Sequence, residues 1–200
     1  AAINALMYVR GNKLNYEEWY KISGLNNKWS TENILKYFTA IESVDSKNSS
    51  STRGVSGPIC VSNPSNPSFA STAFIQACVE NGYKKEDFNG EKQNDIVNYM
   101  ELIVNKKGHR SSTYREFIED STPSNLTIKC LSEVKNLIVE TEKCTGVILD
   151  NSQRINASKV ILCAGALSTP KILLNSGIGD PNEFEKFGLE CKVKNNFVGK

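Results

Sequence analysis

Gly165-Ala166-Leu167-Ser168-Thr169-Pro170-Lys171-Ile172-Leu173-Leu174-Asn175-Ser176-Gly177-Ile178-Gly179 is the stretch whose reading decides the fold. The six residues before it, Lys159-Val160-Ile161-Leu162-Cys163-Ala164, are almost wholly apolar and read as a strand covered on both faces. Gly165 and Ala166 then remove side-chain bulk where the chain turns. Ser168 or Thr169 is placed to cap the first orphan amides of a helix, and Pro170 suits its first turn. A strand joined to a helix through small residues lets a cofactor lie against the backbone. The expected fold class is therefore α/β.

Outward from this junction, the preceding residues from Asn125 turn to a pattern of strands. Leu126 to Leu131, Val134 to Glu140 and Gly146 to Asp150 are expected strands, with a turn at Thr141 to Thr145. Further upstream, Ile34, Leu35, Phe38 and Ile41 share one face of an expected helix over residues 30 to 42, behind a Ser30-Thr31-Glu32 start. Asp45 to Gly54 reads as an exposed loop and Gly57 to Ser62 as a strand. A second helix is expected to bury Ala70, Ala73, Phe74, Ala77 and Cys78 and to end at Gly82. Residues 96 to 104 read as a strand, and Thr113 with Glu116 as a capping box for a helix through Ile118.

Composition excludes more than it assigns. A net charge of +2 with 23% charged residues, scattered without a basic stripe among aromatics, gives no support to nucleic-acid binding. No apolar run reaches the roughly 18 residues a membrane span requires. The six cysteines, Cys60, Cys78, Cys130, Cys144, Cys163 and Cys191, are widely spaced and mostly lie in apolar runs. They read as buried reduced thiols, and a single histidine leaves little to build a metal site. Three N-x-S/T sequons, at Asn48, Asn125 and Asn156, are what chance supplies in a chain rich in those residues.

The stretch from Gly165 resembles the second signature of the glucose-methanol-choline (GMC) oxidoreductases, flavoenzymes that oxidise alcohols with FAD. The start of the chain, Ile3-Asn4-Ala5-Leu6-Met7-Tyr8-Val9-Arg10-Gly11-Asn12 followed by Asn15-Tyr16-Glu17-Glu18-Trp19, resembles the first, I-N-x-M-x-Y-V-R-G-N…D-Y-D-x-W. Between them, Gly57-Pro58 to Ser62 resembles the family's G-P-x-x-V-S strand, Asp87-Phe88-Asn89-Gly90 its D-x-N-G turn, and Gly108 to Ser112 its G-x-R-x-S segment. Tyr114, Arg115 and Glu116 stand where the family usually has small residues. Two specific motifs in the right order outweigh a lone glycine pattern.

The resemblance implies part of an FAD-binding Rossmann-like domain plus part of an α+β substrate-binding domain. Residues 1–55 and 106–200 would belong to the FAD-binding domain, the latter as its return segment, and residues 56–105 to the substrate domain. It implies FAD as cofactor and a small-molecule alcohol as substrate, nearest in pattern to choline dehydrogenase-like members. Asn4 would contact the flavin, since an amide both donates and accepts, although an Asn also caps turns. Ala5 and Met7 would line the same surface. Ile3 stands where some choline-oxidising relatives carry a histidine bonded to FAD, so a covalent link there is not expected. Val134 would offer its backbone to the adenine edge, or simply pack in a core. Gly165 and Ala164 would admit the ADP portion, or pack a helix tightly on a strand.

The family's catalytic base is a histidine paired with a second His or Asn. His109, between Gly108 and Arg110, lies far from that place and reads as a surface turn, so no catalytic residue is assigned. No G-x-G-x-x-G pyrophosphate loop occurs, and Phe197-Val198-Gly199-Lys200 resembles the start of another family motif. The chain thus reads as an internal segment. A second reading is a truncated non-catalytic remnant acting as an interaction or nucleotide-binding module.

Overall fold

The computed structural model describes residues 4–44, 50, 52–119, 123–141 and 143–200. Ile3 and most of the loop expected from Asp45 lie outside them. The chain mixes helices and strands in the α/β manner and divides into two compact units, residues 1–126 and 127–200.

In the first unit, Asn12 accepts a hydrogen bond from the Leu14 amide and so starts α1 (Lys13–Ile22). Ser30 caps α2 (Thr31–Ile41) through the Asn33 amide, as its sequence requires. Directly after α2, β1 (Glu42–Ser43) pairs in parallel with β2 (Ile59–Cys60). Val44, Ile59 and Val61 form the core beside this pair, with Tyr8 and Ile103 packed against them. α3 (Phe69–Glu80) begins at the Ser68 cap and packs on a second short parallel pair, β3 (Lys84–Lys85) and β4 (Ile96–Val97).

Several expectations are corrected here. α3 buries Ile75, while Phe74 is 66% exposed, because only the β3–β4 side of the helix is covered among the described residues. The strand expected over 96–104 is broken: after β4 it survives as single bridges from Leu102 to Met7 and Ser62, and from Val104 to Arg110. The turn of helix at 113–119 is capped by Ser112, not Thr113, since Ser112 Oγ accepts from the Arg115 amide. Glu116 instead accepts from Ser111 Oγ at 2.7 Å.

The second unit is a three-stranded antiparallel meander, β5 (Val134–Glu140), β6 (Lys143–Leu149) and β7 (Arg154–Asn156), with α4 (Gly165–Asn175) laid on β5. Leu137, Ile138, Leu149 and Ile172 are buried there. Ser176, 3% exposed, ties helix to sheet: its Oγ donates to the Ile172 carbonyl and accepts from the Leu137 amide at 2.7 Å. β8 (Ile178–Gly179), α5 (Pro181–Lys186) and β9 (Val193–Lys194) follow, with β8 and β9 parallel.

The doubly covered strand expected at Lys159–Ala164 is not formed. No described segment pairs with it, and Ile161 is 79% exposed, because an apolar run becomes a buried strand only where neighbours supply hydrogen bonds and cover. Leu126–Leu131 is unpaired for the same reason, with Leu131 fully exposed. The expected burial of the cysteines fails with these strands: all six are free and none is fully buried, Cys130 and Cys163 being exposed. α4 starts at Gly165 itself, without a side-chain cap, so Pro170 lies inside the helix rather than in its first turn.

Candidate cofactor site

The first motif is held from beneath by buried charge. Glu42, fully buried, accepts through Oε1 from Arg10, from Arg53 Nε at 3.0 Å and from the Gly54 amide at 2.7 Å. The Arg53 guanidinium reaches Asp87 Oδ2 at 2.5 Å and Glu101 Oε2 at 2.9 Å as well. Burial alone would lower its proton affinity, but the hydrogen bonds to Glu101, Glu42 and Asp87 outweigh burial and raise it. Asn89, 1% exposed, completes the knot: its Oδ1 accepts from the Arg10 amide at 2.8 Å, and its Nδ2 donates to Glu101 Oε2 at 2.7 Å and the Tyr8 carbonyl at 3.1 Å. Two cations, three carboxylates and an amide thus fasten the segment ending at Arg10 to the D-x-N-G turn. Sequence reasoning assigned none of these side chains a role, although Arg10, Asp87 and Asn89 are motif letters and were a signal in hand.

Above this base, Asn4 Oδ1 accepts from the Leu6 amide at 2.8 Å and from Arg110 Nη1 at 2.5 Å. Leu6 sits at φ 66°, a left-handed backbone that a leucine rarely adopts, and the Asn4 turn supports it. The turn-capping role foreseen for Asn4 is therefore present. Two donors converging on one end of the amide require oxygen there, so any ligand contact of this side chain would be donated by Nδ2. Ala5 and Met7 come together in a wide cleft of about 760 Å³ with Phe74, Tyr99, Met100 and Leu102, and Asn4 is not part of its lining.

In the second unit, Val134 and Ala164 line one cleft of about 560 Å³, with Val147, Val160, Leu162 and Ile172 as apolar wall and Lys171 and Glu133 among the polar residues. Val134 keeps its strand role, opposite Leu149 in β5–β6. Gly165 has φ +86° and open space where a Cβ would stand, so it does not pack a helix on a strand; its need is conformational, and it leaves its face clear. His109 occupies an exposed turn, its amide and carbonyl bonded to Asn105. Among the described residues no group of His, Cys, Asp and Glu could hold a metal ion, and no helix is long and apolar enough to cross a membrane.

Each of the two motifs contributes residues to an open cleft of its own unit, Ala5 and Met7 in the first and Ala164 in the second, as a bound organic cofactor would require. The GMC oxidoreductase family model matches residues 1–200, and the chain belongs to the GMC oxidoreductase family. It is 35% identical, over 94% of its length, to oxygen-dependent choline dehydrogenase 1 of Chromohalobacter salexigens. Among solved structures, pyridoxine 4-oxidase from Mesorbium loti superposes with a TM-score of 0.83 at 25% identity over 96% of this chain. An FAD-dependent oxidoreductase from Chaetomium thermophilum gives 0.81 at 28% over 96%. The chain spans 34%, 38% and 36% of these three proteins respectively, about a third of each.

Proposed function

We propose that this chain is the central segment of an FAD-dependent oxidoreductase that oxidises an alcohol by hydride transfer to flavin, of the choline dehydrogenase kind. Family membership over the whole chain carries the reading, with the choline dehydrogenase and the FAD-dependent oxidoreductase among the similar proteins in support. Residues 1–55 and 106–200 serve the FAD-binding part and residues 56–105 the substrate-binding part of the complete enzyme.

The residues present suit such a cofactor. The cleft at Val134 and Ala164 has apolar walls for a flat purine, and Gly165 offers no side chain to obstruct the ADP portion. Asn4 donates from Nδ2 to the flavin, and Ala5 and Met7, next along the chain, line the cleft of the first unit. Bound FAD supplies the hydride acceptor; the residues here bind and orient it. No residue of this chain is assigned as the base that takes the alcohol proton, His109 being placed in an exposed turn.

The test is made on the complete polypeptide that contains this segment. It is expected to purify with flavin absorbance and to consume oxygen or reduce a dye when given choline or another primary alcohol. Absence of flavin from folded, monodisperse protein would favour the remnant reading. Asn4→Ala is expected to lower FAD affinity while the fold persists; an unchanged dissociation constant would remove Asn4 from the site.

A further inference from the structure

We propose that Arg110 is the positioning residue of Asn4, a role that rests on Asn4 being a flavin contact. Arg110 donates twice to the same residue, from Nη1 to Oδ1 at 2.5 Å and from Nη2 to the carbonyl oxygen at 3.3 Å. The pair of bonds fixes both the Asn4 backbone and the sense of its amide, oxygen toward the guanidinium and Nδ2 away from it. A planar fork with two parallel donors does this; a lysine, with its charge at a point, does not.

Both partners are mounted on one scaffold. On the Asn4 side, Ile103 donates to the Leu6 carbonyl and Tyr8 donates to the Glu101 carbonyl, each at 2.8 Å. On the Arg110 side, Arg110 bridges Val104, and the Ser111 amide donates to the Ile103 carbonyl at 2.9 Å. Ser111, 1% exposed, is locked further by the Cys60 amide and by Glu116. Segment 101–104 therefore sets the separation between the guanidinium and the amide it orients. A residue more than a hundred positions away in sequence becomes part of the first motif's working geometry.

The experiment compares Asn4→Ala, Arg110→Ala, the double variant and Arg110→Lys in the complete FAD-loaded enzyme, reading FAD dissociation constant, flavin visible spectrum and melting temperature of the FAD-free protein. One lost hydrogen bond predicts about 2- to 10-fold weaker FAD binding for Asn4→Ala. Arg110→Ala is expected to match it and to shift the flavin bands in the same sense. The double variant is expected to be no weaker than either single one, and Arg110→Lys to fall between Arg110→Ala and the native enzyme. If Arg110→Ala binds FAD like the native enzyme while Asn4→Ala does not, or if the two losses multiply, Arg110 does not act through Asn4. If Asn4→Ala itself leaves FAD binding and spectrum unchanged, the flavin role of Asn4 falls and the positioning role with it. Should Arg110→Ala not fold, Arg110→Lys set against Asn4→Ala decides the same comparison.

Discussion

Glu42 is the residue on which the first unit depends most. It is fully buried between Arg10 and Arg53, and removing it would leave two buried guanidinium groups short of a counter-charge. Breaking such a pair costs about 3–5 kcal/mol, although the intact pair adds little net stability. Glu42→Ala is accordingly expected to lower the urea midpoint of the complete enzyme sharply; a change under about 1 kcal/mol would show that the cluster relaxes around the loss. Tyr8, beside this cluster, makes a different prediction. Its hydroxyl is buried without a satisfactory hydrogen bond; burial, then the Glu42 carboxylate, raises its proton affinity above that of an ordinary tyrosine. The folded state thus holds the proton that an unfolded chain releases near pH 10. Its contribution is complete below about pH 10 and is lost as pH climbs toward the folded value. Tyr8→Phe should flatten the fall of stability above pH 10 while preserving or raising stability at pH 7, which alkaline melting curves of the two proteins would reveal.

One glycine and one serine govern how the elements meet. A Cβ at Gly57 would stand 2.3 Å from the Ile41 carbonyl carbon and 2.5 Å from the Glu42 amide nitrogen, where α2 gives way to β1. Nothing flexible can yield there, so Gly57→Ala must push β2 away from β1 and disturb Glu42. The expected result is a lower melting temperature with loss of bound flavin, and a native-like melting curve would refute the close approach. In the second unit Ser176 fastens α4 to β5. Ser176→Ala leaves the buried Leu137 amide without its acceptor, a loss of about 1–3 kcal/mol. Amide hydrogen exchange at Leu137 should accelerate in that variant, whereas exchange at the β6–β7 ladder should change less. α2, α3 and β5 were legible beforehand because each carries its signal locally, helically spaced apolar residues behind Ser30 and between Ala70 and Cys78, and an apolar run from Val134 to Glu140; α1, behind its Asn12 cap, was not among the expected helices. Lys159–Ala164 carried an equally clear apolar signal and formed no ladder, since strand pairing depends on partners that a local pattern does not supply.

For the whole molecule, the exposed apolar side chains are the telling feature. Phe69, Leu131, Leu167 and Phe197 are each at least 86% exposed, large apolar side chains that nothing among the described residues covers. The isolated 200-residue chain is expected to bind a hydrophobic dye, to hold FAD weakly or not at all, and to leave choline unoxidised, with His109→Ala changing none of these. Turnover by the isolated chain, abolished by His109→Ala, would require a new assignment of the base. The sequence by itself determined the family, the α/β class, the start of α2 at Ser30 and the candidates Asn4, Ala5, Met7, Val134, Ala164 and Gly165, because motif letters, caps and periodicity are written in neighbouring residues. Only the tertiary structure decided that Arg10, Glu42, Arg53, Asp87, Asn89 and Glu101 form one buried knot, and that Arg110 holds Asn4. Those contacts join positions tens to more than a hundred residues apart, and a buried charge acquires its partner only when folding removes water from both.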